Sequence, residues 1–346
     1  MMISSRFTQQ LCKQVTAKSQ QFSTKIDHFL SGLKTQVSVK GSLSMVESRS
    51  QDYKKMTNSE KISIITQYKP TSELPLIYTG SLLRTPSELV WSSIDTFSAP
   101  SGVLHKDMSA IQELLIDNSY LKAGMIIEER GAFYGDLSVN LLIAAEKKDI
   151  HIPGLIISDI NTHAIQIGRA FSTYLGLDRY TLQGLGNAVS TSKRFPGGKC
   201  LIANKVLTVM SLKKGREFLE SCRDSMTAGD ILVVNIAEKK GLQYEQKTIE
   251  SEQGHKAETQ SLGISFKSPM LDFPNLPAAQ TAIITALSKK LDTEGKSLTV
   301  NDFVQHTTFH IPDSFEKMLN TIGFKVIYKA PVISDNHRHL YCLRKT

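Results

Sequence analysis

The stretch that most constrains this 346-residue chain is Met125-Ile126-Ile127-Glu128-Glu129-Arg130-Gly131-Ala132-Phe133-Tyr134-Gly135-Asp136, taken together with Asp159. An apolar run ends in an acid, a turn bearing two glycines comes next, and Leu137 to Ala145 then has helical character. A second unit repeats the pattern. Leu155-Ile156-Ile157-Ser158 reads as a short strand that stops at Asp159. Asn161 is placed to cap a helix with apolar positions Ala164, Ile165, Ile167, Phe171 and Leu175, closed by Gly176. Alternating strands and helices with apolar strands predict a parallel sheet covered on both faces. Ligands of such sheets bind beyond the carboxyl ends of the strands, at the point where strand order reverses. There Gly131 lets the backbone approach a ligand, Gly135 opens the helix, and Asp159 offers a carboxylate to a pair of ribose hydroxyls.

Two cofactor classes use this layout. A dinucleotide seats its pyrophosphate on the helix N-terminus, usually over G-x-G-x-x-G. Here the turn is G-x-x-x-G, and Asp136 at the start of the helix suits the dipole but repels a pyrophosphate. S-adenosylmethionine has no phosphate and carries a sulfonium cation, which fits a turn flanked by Glu128, Glu129 and Asp136.

On Glu129, Gly131, Gly135 and Asp159 the chain resembles the class I (Rossmann-like) S-adenosylmethionine-dependent methyltransferases. Phe133 stands where that family has its middle glycine. The resemblance runs over roughly residues 121–346 and implies S-adenosylmethionine as cofactor. It implies a cofactor site built from Glu129, Gly131, Ala132, Gly135, Asp159, Ile160, Asn187, Ala188 and Asn204. In it Asp159 binds the ribose, Asn187 the adenine amino group, and Asn204 stands between cofactor and substrate. His105, Tyr134 and Asn204 are candidates for the acceptor side. Without the resemblance, the same residues also describe an ordinary α/β turn with a solvated acid, and Asn187 a plain turn asparagine.

The implied fold is α/β: a seven-stranded, mostly parallel, doubly wound sheet with a terminal antiparallel β-hairpin. An N-terminal helical extension and an insertion after strand five complete it. Strands are expected at Met125–Glu129, Leu155–Asp159, Arg179–Gln183, Lys199–Leu207 and Ile231–Ile236. At the end, Pro312 starts a helix stopped by Gly323, and Phe324–Tyr328 and His337–Leu343 form the hairpin, which a dinucleotide-binding domain would not need. Residues 1–60 read as an amphipathic helix over 1–40 and then a polar linker. Residues 61–120 read as a helical substrate-side cover with Tyr78 and Trp91. Residues 121–346 form the S-adenosylmethionine-binding domain, with residues 237–312 as a lid.

Charge helps to narrow the partners. Residues 1–60 hold nine Lys/Arg against four Asp/Glu, and most of the formal net charge of +8 comes from there. The near-neutral remainder makes nucleic acid an unexpected partner. No apolar run is long enough for a transmembrane segment. Residues 1–40, with six basic residues and one acid, suit docking on a partner or membrane surface, an organellar or export signal, or packing on their own domain. The default location is cytoplasmic. Cys12, Cys200, Cys222 and Cys342 show no paired spacing, and His306 and His310 lack a third ligand, so no metal is expected. The expected activity is methyl transfer to a small-molecule or protein acceptor. An NAD(P)-dependent oxidoreductase and a non-catalytic S-adenosylmethionine-binding protein are the alternatives.

Overall fold

The computed structural model describes residues 17, 20–33, 43–66, 103–190, 192–238, 258–269, 304–332 and 335–346. Five parallel strands form the middle of one sheet: β1 (Ile126–Arg130), β2 (Leu155–Asp159), β3 (Thr181–Leu185), β4 (Lys199–Ala203) and β5 (Ile231–Glu238). They stand in the order β3-β2-β1-β4-β5, so the order reverses between β1 and β4. Three more strands, β6 (Glu258–Gln260), β7 (Gly263–Pro269) and β8 (Val304–His310), come from the insertion. Beyond β5 lies β10 (Asp335–Lys345), antiparallel to it, and then β9 (Phe324–Val332), antiparallel to β10. These seven strands outside the insertion are the doubly wound sheet with an antiparallel end that the sequence predicts.

The insertion extends the sheet. Ala237 pairs with Arg338 on one edge of β5 and with Phe309 on the other. Strand β8 therefore runs along the β4 side of β5, past the point where β4 ends. His306 and His310 both lie on β8, not on a helix, and residues four apart on a strand are separated by ~13 Å. Residues 239–257 and 270–303, including the helix expected over 278–291, lie outside the described residues.

Helices α4 (Val103–Asp117), α5 (Asp136–Lys147) and α6 (Thr162–Leu175) belong to one face of the sheet. Helices α7 (Leu212–Asp224) and α8 (Pro312–Ile322) cover the other with Phe218, Leu219, Phe315 and Leu319. The caps are those the sequence announces: the Asn161 side chain accepts the Ala164 N–H at 3.0 Å, and Gly176 and Gly323 end their helices in the left-handed conformation.

The connection from β3 to β4 crosses to the second face, and its described residues contain no helix. The vacant layer is filled by α1 (residues 20–32), whose Phe22, Ile26 and Leu30 pack with Leu33 on Ile126, Ile156 and Phe195. Burying each such side chain contributes about 1.5–3 kcal/mol. The second half of the N-terminal amphipathic stripe is thus spent on the chain's own sheet. Residues 41–60, expected as a linker, are largely helical. Helices α2 (Leu43–Lys55) and α3 (Asn58–Thr66) lie against α6, with the Tyr53 ring edge-on to Phe171 at 5.0 Å. Polarity hid α2, because it buries only Val46 and Tyr53.

Candidate functional site

The turn between β1 and α5 alternates into the left-handed region: φ is 68° at Gly131, 54° at Phe133 and 76° at Gly135. The glycines also allow close approach, since a Cβ would lie 2.5 Å from Val206 Cγ2 at Gly131 and 2.6 Å from Ile157 Cγ2 at Gly135. Phe133 thus adopts a left-handed conformation that favours glycine, at a cost of about 1–2 kcal/mol. What holds it is Asp159. Phe133 N–H donates to Asp159 Oδ2 at 2.8 Å, and Asn161 N–H donates to Oδ1 at 2.7 Å. Asp159 was expected to face a cleft, yet it is only 5 % exposed and clamps the turn to the end of β2. Burial raises its pKa, and the N–H groups of Asn161, Phe133 and Ile160 oppose the rise.

Two further carboxylates belong to the same corner. Glu129 Oε2 accepts the Ser138 N–H at 3.2 Å and its hydroxyl at 2.6 Å. Burial pushes Glu129 up to about 8, with the Ser138 hydrogen bonds opposing and the charges of Asp136 and Asp159 adding. Asp136 is pushed by burial up to about 7, against the N–H groups of Asp136 and Leu137.

Glu128 does not join them. Successive strand residues point to opposite faces, and Glu128 lies on the side of Arg130 and Lys199. Arg130 Nε donates to Glu128 Oε1 at 2.8 Å and Lys199 Nζ to Oε2 at 2.7 Å. Burial alone would raise Glu128, but Lys199 and Arg130 bring it down to about 2. Arg130 Nη1 also reaches Ala188 O and Ser221 Oγ, and Nη2 reaches Ser225 Oγ. Ser192 donates its hydroxyl to Glu128 and its N–H to Ser225 Oγ. This buried network fastens the helix-free connection after β3 to the sheet. Sequence reading missed Arg130, Lys199 and Ser192. The available signal was a pair of opposite charges two apart, on one face of an otherwise apolar strand.

At the end of β4, Asn204 Oδ1 accepts from Asn235 Nδ2 at 2.6 Å, and Lys205, at φ 61°, donates its N–H to Asn235 Oδ1 at 2.6 Å. Asn235 was likewise unforeseen. Asn187 accepts the Val189 N–H at 3.2 Å in a turn after β3, and Ala188 is buried beside it. Ile160 comes directly after Asp159 at the end of β2. Tyr134, a candidate for the acceptor side, is 1 % exposed in the core under the turn, its ring 4.1 Å from Phe133, so its position is that of a packing residue. His105 falls in the first turn of α4, and its side chain, like Tyr78 and Trp91, lies outside the described residues. A cavity of about 250 Å³ between α4 and the β9–β10 edge, lined by Ile111, Leu114, Asn235 and Leu340, does not reach the turn. Among the described residues no three His, Cys, Asp or Glu are grouped to hold a metal, and no helix is long and apolar enough to cross a membrane.

The parallel sheet with its order reversed between β1 and β4, closed by an antiparallel strand inserted beside β5, defines a doubly wound, Rossmann-like α/β fold with an antiparallel end. No family model matches the sequence, and no curated protein sequence matches it. Among solved structures, the chain is similar to magnesium protoporphyrin IX methyltransferase (ChlM) from Synechocystis PCC 6803 with bound SAH. The identity is 12 %, over 77 % of this chain and 97 % of that one, with a TM-score of 0.48. It is similar to an S-adenosylmethionine-dependent methyltransferase from Clostridium acetobutylicum ATCC 824 at 10 % identity, over 75 % and 99 % of the two chains, with a TM-score of 0.47. For the CcbJ methyltransferase from Streptomyces caelestis the figures are 11 %, 70 %, 89 % and 0.43.

Proposed function

We propose that the chain binds S-adenosylmethionine at the Gly131–Gly135 turn and transfers its methyl group to a small-molecule or protein acceptor. The observation that carries this reading is the corner itself. A left-handed turn at the switch point is clamped by Asp159 and flanked by the buried acids Glu129 and Asp136, while Arg130 and Lys199 are taken up by Glu128. Such a corner suits a cationic, phosphate-free cofactor. It opposes a pyrophosphate, which would meet carboxylates where it needs bare N–H groups.

The residues that would hold the cofactor are Glu129, Gly131, Ala132 and Gly135 around the methionine portion. Asp159 and Ile160 would hold the ribose, Asn187 and Ala188 the adenine, and Asn204 would stand at the acceptor side. When bound, S-adenosylmethionine supplies an electrophilic methyl group on a sulfonium. The chain contributes position: Asn235 fixes Asn204 at the end of β4, and β8 pairs with β5 beyond that point. Orienting two reactants is worth about 7–11 kcal/mol of barrier in favourable cases. Calorimetry with S-adenosylhomocysteine and NAD tests the reading. Binding of the first and not the second is expected. NAD binding without a response to S-adenosylhomocysteine would favour the oxidoreductase alternative, and cofactor binding without turnover on any acceptor the non-catalytic one.

A further inference from the structure

We infer that Asp136 is the counter-ion for the positively charged methionine end of the cofactor. This assignment rests on the proposed S-adenosylmethionine site and adds to it a residue that the family resemblance does not supply.

Three carboxylates share the corner, and two of them already accept hydrogen bonds that shape the turn and its helix. Asp159 holds the N–H groups of Phe133 and Asn161, and Glu129 holds Ser138. Asp136 is different. It stands directly after Gly135 as the first residue of α5 and is only 3 % exposed. The N–H groups at the start of α5 serve its carboxyl, yet its Oδ2 has no hydrogen-bond partner among the described residues. An acid that merely complements a helix dipole works at the surface and has no need of burial. A buried carboxylate oxygen without a donor is unfavourable unless something supplies one. No basic side chain does so from the neighbouring strands. Glu129 of β1 and Asp159 of β2 are acids, while Arg130 and Lys199 face the other side of the sheet and are engaged with Glu128.

The ligand class that satisfies Asp136 is therefore a cation held at the turn. S-adenosylmethionine carries two, the sulfonium and the α-ammonium. S-adenosylhomocysteine keeps only the ammonium, and 5′-methylthioadenosine has neither. The test is the affinity of all three for the wild-type chain and for Asp136→Asn, which is nearly isosteric, with Asp136→Ser as a second variant. The expected result is a loss of about 10- to 100-fold for S-adenosylmethionine with methylthioadenosine unchanged. If the sulfonium is the partner, S-adenosylhomocysteine keeps its affinity; if the ammonium is, it falls in parallel. Equal weakening of all three ligands, or of none, would overturn the assignment. A wild-type chain that binds none of the three would instead remove the proposed cofactor site and the assignment with it.

Discussion

Phe133 N–H donates to Oδ2 of Asp159 at 2.8 Å, joining the carboxyl ends of β1 and β2. The same device recurs between β4 and β5, where Lys205 N–H donates to Oδ1 of Asn235 at 2.6 Å. In both places a residue other than glycine sits at positive φ after a parallel strand, pinned by a side chain of the next strand. Strained backbone of this kind persists only where its surroundings over-determine it, and it gathers at functional sites. Here it lies on both sides of the switch point.

Asp159 holds two backbone N–H groups, and its substitution should release both. Asp159→Ala leaves the Phe133 and Asn161 N–H groups without their acceptor, at about 1–3 kcal/mol for each buried group. Urea denaturation is expected to show that loss in the absence of any cofactor. Asp159→Asn keeps one acceptor oxygen and should lose roughly half as much. A full-stability Asp159→Ala protein would mean that the clamp does not hold the turn.

Much of this arrangement is legible in the sequence, for identifiable reasons. Strand β2 ends at Asp159 as expected because the apolar run stops there and Asn161 caps the next helix. Strand β3 begins two residues later than expected, at Thr181, since nothing in Arg179-Tyr180-Thr181 marks the boundary. Three features depend on tertiary context. The α1 stripe is amphipathic whether it faces a membrane, a partner or a sheet, and only the helix-free β3–β4 connection decides which. The conformation of Phe133 depends on a carboxylate 26 residues away. Glu128 and Glu129 are adjacent acids in sequence, and the pleat of β1 sends them to opposite faces and opposite electrostatic fates.

The N-terminal helix should be indispensable. Ile26→Asp places a charge against Ile126 and Ile156, and deletion of residues 1–33 uncovers them. Ile26→Ala alone should cost about 2–5 kcal/mol, as for other buried large-to-small changes. Thermal melting checks this, and a deletion protein that melts with the full chain would show that the layer adds no stability.

Stability should depend on pH in two opposing ways. His310 is 2 % exposed, and burial pushes its pKa down to about 4 from the ordinary 6.5. Between those values the unfolded chain binds the proton that the folded chain refuses, so stability falls as pH drops from about 6.5 toward 4. Glu129 runs the other way: raised to about 8 from 4.5, its carboxyl keeps a proton that the unfolded chain has lost. Its contribution is fully present below pH 4.5 and disappears as pH rises to about 8. Denaturation midpoints at several pH values should show His310→Phe flattening the acid limb and Glu129→Gln flattening the limb above pH 6.5. Parallel profiles for the variants and the parent chain would contradict both assignments.

The network around Glu128 makes the most asymmetric prediction. One carboxylate, Glu128, faces two cations, Arg130 and Lys199, and all three are buried. Removing Lys199 as Lys199→Met leaves a balanced Arg130–Glu128 pair, with Ser192 still donating to the carboxylate. Removing the carboxylate as Glu128→Gln leaves two like charges in the interior with hydroxyls as their main partners. Breaking a buried pair so that a charge is stranded costs about 3–5 kcal/mol. Glu128→Gln is thus expected to lose at least that much, and Lys199→Met distinctly less, although each substitution breaks the same 2.7 Å contact. The double variant, with Arg130 the one cation left in this network, should recover part of the Glu128→Gln loss because the repulsion is gone. Equilibrium unfolding of the three proteins gives the coupling directly. Equal losses for the two single variants would show that charge balance does not govern this network and that its hydrogen bonds alone secure the β3–β4 connection.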